Sequence, residues 1–116
     1  MTRIAFIGLG NMGGGMAARQ VVGGREVAAF DLSEAAIAKV VGAGAKGAKS
    51  VAEAVKDADV VITMLPAGPH VRKVYAEDIL PNAPKTALLI DCSTIDVDSS
   101  RAVAAQAKAA GFRFAD

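Results

Sequence analysis

Short apolar runs rich in β-branched residues alternate along this chain with longer alanine-rich stretches whose charges recur at helical spacing. Runs such as Ile4-Ala5-Phe6-Ile7 and Val60-Val61-Ile62 are continuous, as strands covered on both faces of a parallel sheet demand. The pattern predicts strands over Arg3–Gly8, Glu26–Asp31, Lys46–Ala48, Asp59–Leu65, Thr86–Cys92 and Phe112–Ala115. Between them it predicts helices over Met12–Val22, Glu34–Val41, Val51–Val55, Pro69–Tyr75 and Val97–Ala110. Gly23-Gly24 and Gly111 follow helical stretches, where a residue free to take positive φ ends the last turn, and Ser50 stands where the third helix needs a cap. No segment repeats at a fixed period. Right-handed crossovers arrange such a chain as a doubly wound, mostly parallel sheet, with helices on both faces and ligands received at the carboxyl ends of the first and fourth strands.

A length of 116 residues sets the expectation of one domain over residues 1–116. Hydrophobic residues make up 53% against 22% charged, which excludes global disorder. Thirteen Lys and Arg against twelve Asp and Glu give no basic field for nucleic acid or for an anionic membrane. The apolar runs are too short to span a bilayer and the N-terminus lacks a signal pattern, so no membrane partner and a cytoplasmic location are expected. One histidine and one cysteine, His70 and Cys92, are too few for a zinc site, and no metal is expected. Cys92, inside an apolar stretch, reads as a small buried residue at a strand end.

The chemistry concentrates in Gly8-Leu9-Gly10-Asn11-Met12-Gly13, which leaves an apolar strand directly and opens a helix. In that context Gly8 permits a tight turn, Gly10 lets backbone approach a pyrophosphate, and Gly13 lets helix and sheet pack closely. The helix N-terminus offers unpaired amides and a partial positive charge to phosphates. Asp31 closes the second strand, where an acid accepts hydrogen bonds from an adenosine ribose. No arginine follows it before Arg72 to offset repulsion of a 2′-phosphate, so NAD is expected rather than NADP. Asp31 and Glu34 also have capping-box spacing, and a capping role coexists with a ribose role. The fold class is therefore α/β of Rossmann type, in three α/β/α layers.

Beyond the fourth strand lies Met64-Leu65-Pro66-Ala67-Gly68-Pro69-His70, and beyond the fifth Asp91-Cys92-Ser93-Thr94. Pro66 and Pro69 either stiffen a connection against a flat ligand or simply punctuate a turn. Ser93 and Thr94 either offer hydroxyls and amides to a substrate carboxylate or cap the last helix.

Together these residues resemble the amino-terminal domain of the 3-hydroxyisobutyrate dehydrogenases, within the β-hydroxyacid dehydrogenase family. The resemblance rests on the glycine loop with Met16-Ala17, on Phe30-Asp31, on Ile62-Thr63-Met64-Leu65-Pro66 and on Asp91-Cys92-Ser93-Thr94-Ile95-Asp96, and it covers the whole chain. It implies that Gly8 to Gly13 and Asp31 hold the adenosine half of NAD, that Leu65, Pro66 and His70 border the cofactor, and that Thr94 contacts its nicotinamide side. Ser93 resembles a contributor to substrate carboxylate binding. The family oxidises a 3-hydroxy acid to its semialdehyde, with hydride passing to NAD and a lysine serving the hydroxyl proton. For 3-hydroxyisobutyrate this is a step of valine catabolism. None of the lysines here sits in a matching motif, so the resemblance implies a cofactor-binding fragment without a catalytic residue or turnover of its own. A homo-oligomer is expected of the full-length form. Gly15 stands where members often carry proline and should loosen the first helix.

Three other readings compete. A sibling such as tartronate semialdehyde reductase or 6-phosphogluconate dehydrogenase shares the loop, although Asp31 argues against the NADP-using members. A non-catalytic dinucleotide-binding module fits the missing lysine. A flavoprotein domain shares the glycine pattern but commonly has Glu at the position of Asp31.

Overall fold

In the computed structural model, which describes residues 2–93 and 95–115 and leaves aside the side chains of residues 10–13, twelve elements alternate along the chain. They are β1 (Arg3–Ile7), α1 (Gly10–Val22), β2 (Glu26–Phe30), α2 (Glu34–Gly42), β3 (Lys46–Gly47), α3 (Val51–Val55), β4 (Val60–Thr63), α4 (Gly68–Val74) with a π-helical continuation Tyr75–Ile79, β5 (Leu88–Asp91), α5 (Val97–Ala109) and β6 (Arg113–Ala115). Every strand pair is parallel, and the order across the sheet is β3-β2-β1-β4-β5-β6. The winding reverses between β1 and β4, as the alternating pattern predicts.

Strand pleat sorts the apolar side chains into two cores. Ala5, Ile7, Val61 and Leu89 point to one face, where α3, α4, the π turn and α5 contribute Val55, Val71, Tyr75, Ile79 and Val103. Ile4, Phe6, Val27 and Ala29 point to the other, where α1 and α2 contribute Ala17 and Val40. Both faces therefore carry helices, but unequally. Leu88 and Ile90, in register with Val60 and Ile62 on the α1/α2 face, belong to neither core and stay half-buried.

Local chemistry sets most of the boundaries. Gly24 and Gly111 take positive φ after α1 and α5, and Gly44 does the same after α2. Ser50 caps α3, its Oγ accepting from the Glu53 N–H at 3.1 Å. The predicted helix ending at Tyr75 instead runs on to Ile79, because Tyr75 and Ile79 are both fully buried and a wider turn keeps both on the core side.

Candidate functional site: a cleft at the switch point

The carboxyl ends of β1, β2, β4 and β5 open into a cleft of about 1020 Å³, walled also by the start of α3 and one face of α4. Gly8 sits at its base with φ +85°, and a Cβ there would run into the Met64 carbonyl oxygen. Only glycine lets β1 turn out this close to the exit of β4. The helix of the glycine loop begins at Gly10, two residues before the predicted Met12, so Gly10, Asn11, Met12 and Gly13 form its first turn. Leu9 occupies the N-cap, is fully buried, and has no side-chain acceptor; the first turn carries no acidic residue. Neither a cap nor an acid of α1 therefore competes for the amides of that turn.

Asp31 follows β2 directly. Its Oδ2 accepts from the Leu9 N–H at 2.7 Å and its Oδ1 from the Ser33 N–H at 2.8 Å. The carboxylate thereby ties the glycine turn to the exit of β2 and keeps further lone pairs for a ligand. The capping-box reading of Asp31 with Glu34 does not hold. Because α2 starts at Glu34, its cap is Ser33, whose Oγ accepts from the Ala36 N–H at 3.2 Å.

On the opposite wall, Leu65 is buried and Pro66 exposed, and His70 lies half-buried in α4; all three line the cleft. Pro69 stands in the first turn of α4, where a missing N–H costs nothing. The Leu65 N–H donates to Ser93 Oγ at 2.7 Å, and the Ser93 N–H donates to Asp91 Oδ1 at 3.1 Å. Ser93 is thus clamped between the exits of β4 and β5, half-buried. Thr94 lies outside the described residues. Ser93 is not the cap of α5: that position is Asp96, whose Oδ2 accepts from the Ser99 N–H at 2.9 Å. That backbone bond, and then the Ser99 hydroxyl, hold the Asp96 carboxyl below the usual carboxylate range.

Cys92 overturns its expected burial. The sheet ends at Asp91, whose side chain turns inward, and the next residue on the alternation faces out, so the thiol is exposed and lines the cleft. Partial burial, and then the neighbouring Asp91 carboxylate, raise its pKa, which keeps it a thiol rather than a nucleophilic thiolate.

Three charged lining residues escaped the reading of the sequence: Lys49, Lys73 and Asp78. A signal existed for two. Lys49 follows β3 much as Asp31 follows β2, and Lys73 lies one turn beyond His70 on the same helical face. Asp78 was not legible, because the π turn that carries it was not. Among the described residues no helix is long and apolar enough to cross a membrane, and no cluster of three metal-ligating side chains occurs.

A doubly wound sheet whose switch-point cleft joins a glycine turn to an acid at the end of β2 defines a dinucleotide-binding domain. The chain belongs to the family described as the NAD-binding domain of 6-phosphogluconate dehydrogenase, matched over residues 3–116. It is 48% identical over its whole length to a 3-hydroxyisobutyrate dehydrogenase of Pseudomonas aeruginosa, and 42% identical to an NAD-dependent L-serine dehydrogenase of the same organism. It spans 40% of the length of each. A solved structure of the Mycobacterium tuberculosis 3-hydroxyisobutyrate dehydrogenase with L-serine superposes with a TM-score of 0.95 at 46% identity, over 98% of this chain and 39% of that one.

Proposed function

We propose that residues 1–116 form the NAD-binding domain of an NAD-dependent 3-hydroxyacid dehydrogenase, with 3-hydroxyisobutyrate as the substrate. The observation that carries the reading is Asp31, bonded to the Leu9 amide at the end of β2 and opening onto a cleft that no arginine lines among the described residues. In this reading the amides of the first turn of α1, from Gly10 to Gly13, receive the pyrophosphate. Asp31 accepts from the ribose hydroxyls, and the exposed Leu32 offers apolar surface to the base. Leu65, Pro66 and His70 border the cofactor along α4, Thr94 its nicotinamide side, and Ser93 binds the substrate carboxylate. Bound NAD supplies the hydride acceptor. No residue of this chain is assigned the hydroxyl proton, and the chain by itself binds NAD(H) without turnover.

The choice of 3-hydroxyisobutyrate follows the higher identity to the dehydrogenase of that name. The L-serine dehydrogenase at 42% identity supports a second reading, oxidation of L-serine, a 3-hydroxy acid that also carries an amine.

A pair of cofactor titrations and a comparison of rates test the proposal. NADH fluorescence should report binding to this chain, which contains no Trp, with NADPH binding at least about tenfold weaker. Equal or tighter binding of NADPH would remove Asp31 from its role. NAD reduction by a protein containing this domain should then be faster with 3-hydroxyisobutyrate than with L-serine, and the reverse order establishes the second reading.

A further inference from the structure

Beneath the cleft runs a chain of buried polar groups. Thr63 closes β4 and Asp91 closes β5; they are register partners, 0% and 5% exposed. A carboxylate leaves water only where its lone pairs are filled. Asp91 Oδ1 accepts from the Thr63 hydroxyl at 2.9 Å and from the Ser93 N–H at 3.1 Å. The Tyr75 hydroxyl, fully buried at the start of the π turn, lies 2.8 Å from Thr63 Oγ1.

Counting hydrogens fixes the direction of this chain. A carboxylate only accepts, so the single hydroxyl hydrogen of Thr63 goes to Asp91 at 2.9 Å in preference to the Ile90 carbonyl at 3.4 Å, and Tyr75 must donate to Thr63. Burial holds the Tyr75 phenol far above its ordinary pKa, so it keeps that hydrogen at any ordinary pH. At the other end, Ser93 Oγ already accepts from the Leu65 N–H at 2.7 Å. The hydrogen of Ser93 then points away from Leu65 and finds no acceptor among the described residues. Ser93 is held through both its amide and its oxygen and keeps its hydroxyl hydrogen, with one further lone pair, for a ligand.

We propose that Tyr75, Thr63 and Asp91 are positioning residues that hold the Ser93 amide, and with it the Ser93 hydroxyl, where that hydroxyl donates to a substrate carboxylate. The inference rests on the hydroxy-acid reading above. It goes beyond it in assigning the placement of Ser93 to three buried side chains.

The test uses the ¹⁵N-labelled 116-residue chain saturated with NADH, observed by NMR. Thr63→Val removes the relay hydroxyl at nearly constant shape, and Thr63→Ser restores it. In the wild type, 3-hydroxyisobutyrate should shift the Ser93 amide, and 2-methyl-1,3-propanediol, in which a hydroxymethyl group replaces the carboxylate, should not. Thr63→Val should displace the Ser93 and Leu65 amide resonances and weaken the 3-hydroxyisobutyrate response about tenfold, with NADH affinity within about twofold of wild type. Thr63→Ser should recover the response. Unchanged Ser93 and Leu65 resonances in Thr63→Val, or an undiminished response, would overturn the relay. If the wild-type chain binds NADH but Ser93 ignores 3-hydroxyisobutyrate, the substrate reading fails, and the amide resonances still decide whether the relay positions Ser93. Should Thr63→Val fold poorly, Tyr75→Phe withdraws the first donor without altering β4, and the same shifts are read.

Discussion

Asp31 shows how one side chain serves the fold and the site together. Its two oxygens hold the Leu9 and Ser33 amides, so the turns after β1 and β2 are set relative to each other before any ligand arrives. A group pre-arranged in this way loses little entropy on binding, and both of its bonds are charge-assisted. Asp31→Ala should therefore do two things. NADH affinity should fall by about tenfold to a hundredfold, the loss of ribose bonds to a charged acceptor, and the preference over NADPH should largely vanish. Stability should also fall, by about 1–3 kcal/mol, because the Leu9 amide is left without its partner. Parallel NADH, NADPH and urea titrations separate the two effects. An unchanged cofactor preference would mean that the carboxylate acts only as a tie between loops.

Among the elements, α1 and α5 begin in opposite ways, α1 without a side-chain cap and α5 with one. Gly15 lies in the second turn of α1 with nothing within 4 Å of the place a Cβ would occupy, and its φ is not positive. Glycine there costs backbone entropy and gives no close approach in return. Gly15→Ala should stabilise the chain by about 0.5–1 kcal/mol, read as a rise in Tm of a few degrees, with NADH affinity unchanged. The start of α5 is well capped, and its cap titrates. Asp96 has its folded-state pKa below the unfolded value of about 3.9, chiefly through the Ser99 N–H bond. Between those two values the unfolded chain binds a proton that the folded chain does not, so stability rises with pH across that window. The contribution is present above about pH 4 and is lost as pH falls through the folded value. Asp96→Asn keeps an acceptor for Ser99 and should flatten that part of the profile, as urea denaturation between about pH 2 and 5 will show.

At the scale of the whole molecule, the sheet is covered evenly on one face only. Tyr75, Val103 and their neighbours close the α3/α4/α5 face across β1, β4 and β5, whereas α1 and α2 leave Leu88 and Ile90 half-buried on the other. A contiguous apolar strip beside an accessible sheet surface favours association. Light scattering on the isolated chain should show an average mass above 11.7 kDa that rises with concentration, and Leu88→Lys should lower it. A concentration-independent monomer would show that the strip is too narrow to drive pairing. The same sheet explains why the cleft sits where it does: crossovers leave β1 and β4 in opposite directions, so their ends stay uncovered.

Much of this was legible in the sequence because it depends on local signals. Continuous apolar runs gave six parallel strands, glycines and serines placed the helix ends, and the glycine turn with Asp31 located one wall of the cleft. These are properties of neighbours in the chain, where backbone freedom, side-chain period and capping act over a few residues. What depended on contacts between distant elements was not legible. The exposure of Cys92 follows from where β5 stops against β4; the π turn follows from packing Tyr75 and Ile79 into one core. The cap of α2 passed to Ser33 because Asp31 was drawn to the Leu9 amide, 22 positions away in sequence. The placement of Ser93 likewise depends, through Asp91, on Thr63 and Tyr75, 30 and 18 positions distant. Hydrophobic period and turn chemistry determined the fold class and the site's address, whereas the direction of each hydrogen bond within it was decided by which buried groups the folded sheet brings face to face.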